Sequence, residues 1–397
     1  MREHHAQARV RPSPETSWHS KARDLRAEPL DRLDAERGRE LVKQALLPAT
    51  RTDGALVEEI WRLFIDSGYF ELAGRSVAWF ESRRASFIEL GRRAPELSRL
   101  LCQAAWTSER GVEATFSVMK PYRSLWLTHQ LAKRQGGSRF ERVPGQMLRD
   151  LYTCMVAHAQ GDPGFRWLAA YIESTVPFIH RAHVGFVERM AGTGRVLLRP
   201  LRMLDVTCDA PSGQDARGLE VGPATAGERA LLAEEISRTR PACYVEALDL
   251  GPEALDLEEA ARPWRAAGLE RERHVVVARR GRTPVAAAVL EVGPLGTNPF
   301  RLLDSARLFP LSAGGREAYP ALLDAARRWY ARRGRDGFVF LSEEDGDAEA
   351  ARLRDEAPEA KPYLWVIPSD LAPGFLEHIH EQTVSRLPTA NTEKEPS

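Results

Sequence analysis

The order of its apolar runs constrains this chain more than any single motif. Read by hydrophobic period, the succession strand, turn, strand, loop, strand, helix, strand, helix, strand occurs twice along the 397 residues, at a spacing too long for a solenoid repeat. In the first half a helical period over residues 33–47 is followed by Leu56, Ile60, Leu63 and Phe64 at spacings of three and four, and a further helix is predicted over 77–92. Three β-like runs come next, at 100–106, 112–122 and 124–134. Thr107-Ser108-Glu109-Arg110-Gly111 joins the first two as a polar turn ending in glycine, which reads as an antiparallel meander. A helix over 146–160, a Gly161-Asp162-Pro163-Gly164 break, a strand over 165–174, a helix over 177–191 opened by Pro177 and a strand over 195–207 complete the set. The second half repeats it, with a helix at 227–239, strands at 274–280, 285–292 and 300–311, a helix at 316–333, a strand at 338–342, a charged helix at 348–357 and a last strand at 363–367.

Two α+β domains in tandem are therefore expected, which agrees with a chain of this length at about 150 residues per domain. Residues 1–30 are polar, carry Pro12, Pro14 and Pro29 and show no apolar period, as in a disordered arm. Residues 209–226 are rich in Gly, Ala, Pro and Ser and read as a linker. The expected division is an N-terminal domain at 31–208, that linker, a C-terminal domain at 227–375 and a tail at 376–397.

Lys plus Arg and Asp plus Glu both number 56, so the net charge is zero and the chain lacks the basic excess of a dedicated nucleic-acid binder. Apolar residues at 43% are enough to build a core. The longest apolar runs, such as 275–278 and 285–290, fall far short of the roughly 20 residues that span a bilayer. No apolar segment follows the opening Met-Arg-Glu-His-His, so neither signal peptide nor anchor is expected and the chain reads as cytoplasmic. Cys102, Cys154, Cys208 and Cys243 are too widely spaced for a metal clip or disulfide framework and read as buried thiols.

A meander followed by a crossover helix, a strand, a helix and a final strand resembles the GNAT N-acyltransferase superfamily, over about residues 55–208 and 219–370. The resemblance implies two tandem GNAT-like domains, each a mixed central sheet flanked by helices. It also implies acetyl-CoA or a longer acyl-CoA as co-substrate, bound where two strands splay apart, with its pyrophosphate on backbone N–H groups ahead of the crossover helix. A glycine-rich turn at a helix N-terminus supplies such donors. Each half has a candidate: Arg134-Gln135-Gly136-Gly137-Ser138 after the third meander strand, and Ser312-Ala313-Gly314-Gly315-Arg316 leading into a helix. From these, Arg134, Gly136, Gly137, Ser138, Gly314, Gly315 and Arg316 are the expected coenzyme-binding residues. Neither turn reproduces the family's spacing of Gln or Arg, two residues, Gly, one residue, then Gly or Ala: Arg134 fits ahead of Gly137, but Arg139 stands where Gly or Ala belongs.

Transfer from a thioester to an amine needs a deprotonated amine, a polarised carbonyl and a proton for the departing thiolate. His129 shares a strand face with Leu125, Leu127 and Leu131, and Tyr171 shares one with Glu173. His129, Tyr171 and Glu173 are the expected catalytic residues, and on their account the N-terminal half is the expected active one. The tyrosine common on the family's next helix is missing from 177–191, where His180 and His183 are the polar alternatives. They share a helix face, but no third ligand accompanies them and no metal is expected. Asp304 interrupts an apolar strand face and reads as the partner of an arginine, and His378 and His380 fall in the expected solvated tail. Trp106, Phe116, Tyr122 and Trp126 read as core aromatics, and Arg327, Arg328, Arg332, Arg333 and Arg335 as a solvated helix face.

The leading expectation is an acyl-CoA-dependent N-acyltransferase acting on a small-molecule or protein amine, with room for one degenerate domain. The competing one is a non-catalytic GNAT-like protein whose cleft binds a ligand or partner. Arg195 and Arg199 have the Arg-three-Arg spacing of PilZ-type cyclic-dinucleotide receptors, but the companion Asp or Asn, residue, Ser, two residues, Gly element is absent and that assignment is rejected.

Overall fold

The computed structural model describes residues 46–73, 76–136, 141, 143–190, 192–209, 218–354, 360 and 362–384. The fold below is that of the unit beginning at Ala49. The expected arm at 1–30 and nearly all of the expected helix at 33–47 lie outside the described residues.

Strand β1 (Thr50–Arg51) leads into helices α1 (Val57–Asp66) and α2 (Val77–Arg93), joined through a 3₁₀ segment at Tyr69–Ala73. The apolar spacing in α1 buries Val57, Ile60, Trp61, Leu63 and Phe64 against Phe70, Phe80 and Phe87, an aromatic core with ring centroids 4.1–5.7 Å apart in its closest pairs. The meander follows as β2 (Leu101–Ser108), β3 (Gly111–Met119) and β4 (Leu125–Lys133), then α3 (Gln146–Gln160) and β5 (Trp167–Glu173). Helix α4 comprises Pro177–Ile179, a π-helical turn at His180–Val184 and Gly185–Arg189. Strands β6 (Leu197–Pro200), β7 (Arg202–Thr207) and β8 (Leu219–Pro223) come next.

The second half contains α5 (Ala226–Thr239), α6 (Ala242–Ala247), α7 (Glu258–Ala266), β9 (Glu272–Arg280), β10 (Thr283–Val292) and β11 (Ser305–Pro310). It continues through α8 (Tyr319–Ala331), β12 (Gly337–Ser342), α9 (Asp347–Ala350), β13 (Pro362–Pro368) and α10 (Ala372–Val384). The succession read from the sequence is present in both halves, within an α+β fold of two mixed sheets.

Among the described residues the strands form a seven-stranded sheet, ordered β1-β2-β3-β4-β5-β13-β6, and a six-stranded sheet, ordered β7-β12-β11-β10-β9-β8. The two halves exchange strands. The run at 195–207, expected to be one strand, breaks at Leu201: β6 stays in the first sheet while β7 pairs antiparallel with β12 in the second. Conversely β13 leaves the second half and inserts between β5 and β6. Sheet membership therefore changes at Leu201 rather than across 209–226, and β8 occupies part of the expected linker. The expected tail at 376–397 begins inside α10, where His378 is buried, its Nε2 2.9 Å from the Arg181 carbonyl oxygen. Between the sheets, Leu125, Leu127, Ala169, Leu364 and Val366 of the first share one core with Val275, Val277, Val289, Phe309 and Leu341 of the second.

Candidate active site

Strands β4 and β5 run parallel and pair from Leu125↔Trp167 to Thr128↔Ala170, and then part. The cause lies in β4. Gln130 has a left-handed backbone (φ 62°), and the register against β3 shifts between Thr115 and Ser117, which marks a bulge that bends the strand. A left-handed glutamine costs about 1 kcal/mol, and three side-chain bonds hold it there. Gln130 Oε1 accepts from Ser117 Oγ at 2.8 Å and Gln103 Nε2 at 3.3 Å, while its Nε2 donates to the Thr297 carbonyl at 2.9 Å.

A cavity of about 290 Å³ occupies the gap. It is lined both by Ala170 and Ile172 and by Tyr171 and Glu173, residues of opposite faces of β5, so it passes through the sheet. On the helix side it meets Phe116, Tyr152 of α3 and His183 of α4; on the other it meets Tyr69, Trp79, Met203, Asn298 and Phe300. The second half thus supplies a wall of a site that opens in the first sheet.

All three expected catalytic residues line this cavity. His129 and Tyr171 are the first residues of their strands beyond the last β4–β5 pair. Burial lowers the His129 pKa to about 3, so the ring is neutral at pH 7 and too weak a base to take a proton from an ammonium group. Its Nδ1 lies 3.2 Å from Asn298 Nδ2. The Tyr171 hydroxyl accepts from Arg307 Nη2 at 2.6 Å, and burial raises its pKa. Glu173 Oε1 accepts from the Thr175 N–H at 3.0 Å and the Thr175 hydroxyl at 2.7 Å, fixing the carboxylate at the end of β5. His183 also lines the cavity while His180 is exposed. Buried His183 is held neutral with a pKa of about 3, the Ile179 carbonyl only partly opposing the effect of burial.

The glycine turns divide differently. Gly136 has φ 71° and open space around it, so it serves a left-handed turn. Gly137 and Ser138 lie outside the described residues. Arg134 turns back onto the sheet and α1, donating to Asp66 at 2.7 Å and to the Val112 carbonyl at 3.3 Å. At the N-terminus of α3 the donors are already occupied: the Glu141 carboxylate accepts from Gly145 N–H at 2.9 Å and Met147 N–H at 3.2 Å, with Lys133 Nζ 3.6 Å away. A carboxylate there satisfies the helix as a phosphate would.

In the second half Gly314 has ordinary backbone angles (φ −101°). Gly315 is a packing glycine, since a Cβ there would sit 2.1 Å from the Val285 carbonyl oxygen and 3.1 Å from Pro310 Cα. Arg316 pairs with Asp347 at 2.9 Å. The gap between β11 and β12, paired only at Ser305↔Val339 and Ala306↔Phe340, is filled from within. Glu343 accepts from the Tyr244 hydroxyl at 2.7 Å and from Arg307 Nε at 3.1 Å, with Arg199 and Arg240 at 3.4 and 3.6 Å. The features that suggested a coenzyme turn in this half are occupied by packing and ion pairs.

Asn298, Arg307 and Glu343 were not singled out from the sequence. Arg307 did carry a signal, as a charged residue between Leu308 and Ala306 and in step with Phe309 on an otherwise uncharged strand; Asn298 sits in an irregular loop and carried none. Asp304 pairs with Arg335 at 3.2 Å as expected, and Arg333 pairs with Glu272 at 2.7 Å. Arg335 is itself buried, so the predicted solvated arginine face does not hold at that position.

No protein-family model and no curated protein matches this sequence. Among solved structures, the chain is similar to a GCN5-related N-acetyltransferase from Sphaerobacter thermophilus at 15% identity, covering 81% of this chain and 95% of that one with a TM-score of 0.44. It is similar to a tandem GNAT protein from the clavulanic acid biosynthesis pathway at 12% identity, covering 81% and 98% with a TM-score of 0.40. A GCN5-related N-acetyltransferase from Kribbella flavida matches at 16% identity over 72% and 96%, with a TM-score of 0.35.

Proposed function

We infer that the chain transfers an acyl group from an acyl-CoA thioester to an amine, and that the cavity between β4 and β5 is where donor and acceptor meet. The observation that carries this reading is the gap in the sheet, lined by residues of both faces, His129, Tyr171 and Glu173 among them. Beyond Thr128 the edge of β4 that faces β5 has no strand partner, so its backbone groups suit an extended arm bearing amides, which would pair as an added strand does. The thioester would then lie in the gap and the amine would come from the side walled by Tyr69, Trp79 and Phe300. Holding the two in contact supplies much of the rate. Glu173 is the anionic group of the three and suits an incoming ammonium; His129 and Tyr171 are proton-bearing groups suited to the carbonyl and the departing thiolate.

A second reading, a GNAT-like protein that binds its ligand without chemistry, is favoured by one observation: Glu141 holds the N–H groups that a coenzyme pyrophosphate would need. Calorimetric titration of free CoA, acetyl-CoA and a long-chain acyl-CoA into the full chain, followed by thiol-release assays with an amine panel, separates the two. Saturable binding with amine-dependent thiol release supports the transferase. Binding without release supports the second reading, and silence toward all three coenzymes removes the coenzyme from the site.

A further inference from the structure

We propose that His129 and Tyr171 form a two-donor seat for a carbonyl oxygen, and that Asn298 and Arg307 of the second half fix its polarity. Asn298 is almost fully buried. Its Oδ1 accepts the Phe300 backbone N–H at 2.7 Å, so the atom facing the His129 ring is the amide nitrogen. An amide nitrogen only donates, so His129 Nδ1 must accept, and a neutral ring then carries its proton on Nε2. The imidazole is left with a donor for whatever enters the cavity.

Tyr171 is treated the same way from the other strand. Arg307 is a permanent cation without an acceptor, so its 2.6 Å contact makes the Tyr171 oxygen the acceptor and leaves the phenolic proton to be donated elsewhere. Arg307 is itself held by Glu343 at 3.1 Å, inside the gap that the second half has filled. Two residues adjacent to the point where the strands part are therefore both set as donors, by two groups from the other half of the chain. A pair of donors suits a carbonyl oxygen, and it stabilises negative charge developing on that oxygen during attack at the carbonyl carbon. The filled second gap thus has a use: it anchors the arginine that orients Tyr171. Asn298 and Arg307 act through these partners and are positioning residues.

The assignment of the carbonyl to a thioester rests on the acyl-transfer reading, whereas the polarity of the seat does not. Long-range nitrogen–proton correlation spectra of the full chain at pH 7 read the His129 tautomer directly. The Nε2–H form is expected, changing to Nδ1–H in Asn298→Asp, where a carboxylate faces the ring but can still accept from Phe300. An Nδ1–H or doubly protonated ring in the unaltered protein overturns the proposal. In parallel, acetyl-CoA is compared with S-ethyl-CoA, a thioether without the carbonyl. The thioester should bind about tenfold tighter, and Tyr171→Phe, which leaves the His129 donor in place, should lower that ratio to about threefold. Equal affinity in the unaltered protein, or a ratio unchanged by the substitution, overturns the seat. Silence toward both probes overturns the coenzyme reading instead, and the nitrogen spectrum then decides the polarity by itself.

Discussion

Glu291 should be the most sensitive buried position in the molecule, and the cost of altering it can be worked out. Its carboxylate is 1% exposed and accepts from Arg271 at 2.5 Å, from Arg273 at 2.8 and 3.1 Å and from the Tyr122 hydroxyl at 3.1 and 3.2 Å, with Arg307 at 3.9 Å. Arg271 also donates to the Pro121 carbonyl, so this cluster ties the turn after β3 to the second sheet. Glu291→Gln keeps the shape and removes the charge, leaving buried guanidinium groups without their counter-ion, which typically costs about 3–5 kcal/mol. The pH dependence gives a second route to the figure. Burial alone would raise the Glu291 pKa, but the arginines around it outweigh that and hold it at about 2, against an ordinary 4.5, which corresponds to about 3 kcal/mol. A carboxylate with a depressed folded-state pKa contributes fully above its unfolded value and loses that contribution as the pH falls. The stability gap between the unaltered protein and Glu291→Gln should therefore be constant above about pH 5, narrow below pH 4.5 and close near pH 2. Denaturant titrations followed by tryptophan fluorescence at a series of pH values measure it. A gap under about 1 kcal/mol at pH 7, or one that does not narrow on acidification, would refute the reasoning.

Other positions give simpler tests. Gly315→Ala drives a Cβ into the Val285 carbonyl and should cost at least about 3 kcal/mol in thermal or chemical unfolding, while the neighbouring Gly314→Ala should stay within about 0.5 kcal/mol. Were Gly315 a coenzyme cradle instead, its substitution would change affinity more than stability. Glu141→Ala frees the Gly145 and Met147 N–H groups; calorimetry should show CoA binding strengthened about fivefold, offset by about 1 kcal/mol of lost helix capping. Burial raises the Asp304 pKa to about 6 despite Arg335, so the folded state holds a proton that the unfolded state has released. Stability due to this group should fall as pH rises from about 4 to 6, and the unfolding curve of Asp304→Asn should be flatter across that window.

The element order was legible because hydrophobic period reports burial on one face, and burial is local enough to read along a strand. Helix α3 falls at the expected residues because Met147, Leu151 and Met155 keep the period without interruption. Pairing is a different quantity. The run at 195–207 is apolar enough for one strand; Pro200 marks a local break in it, but which sheet the chain joins after Leu201, and that β13 returns to the first sheet, depend on edges supplied far along the chain. The site followed the same division. His129, Tyr171 and Glu173 could be picked out as polar residues on strands beside a predicted gap, whereas the atoms that set their polarity lie more than a hundred residues away, in Asn298 and Arg307. At Gly315 and Arg316 the glycine pair ahead of a helix coincides with close backbone approach and an ion pair with Asp347.

Strand exchange and the filled second gap have a common consequence for how the site works. With β13 seated between β5 and β6, and β7 carried by β12, neither sheet is complete within one contiguous half of the sequence. The wall of the cavity facing α1 and α2 depends on Asn298 and Phe300, and Phe300 packs 5.2 Å from both Tyr69 and Phe80. The half whose own gap is filled thus shapes the cavity of the other: its strand completes the first sheet, its loop closes the cavity and its arginine bonds Tyr171. The ion pairs that fill one gap hold fixed charges and donors beside the open one, and rigid placement of such groups is what preorganisation of a binding or reaction site requires.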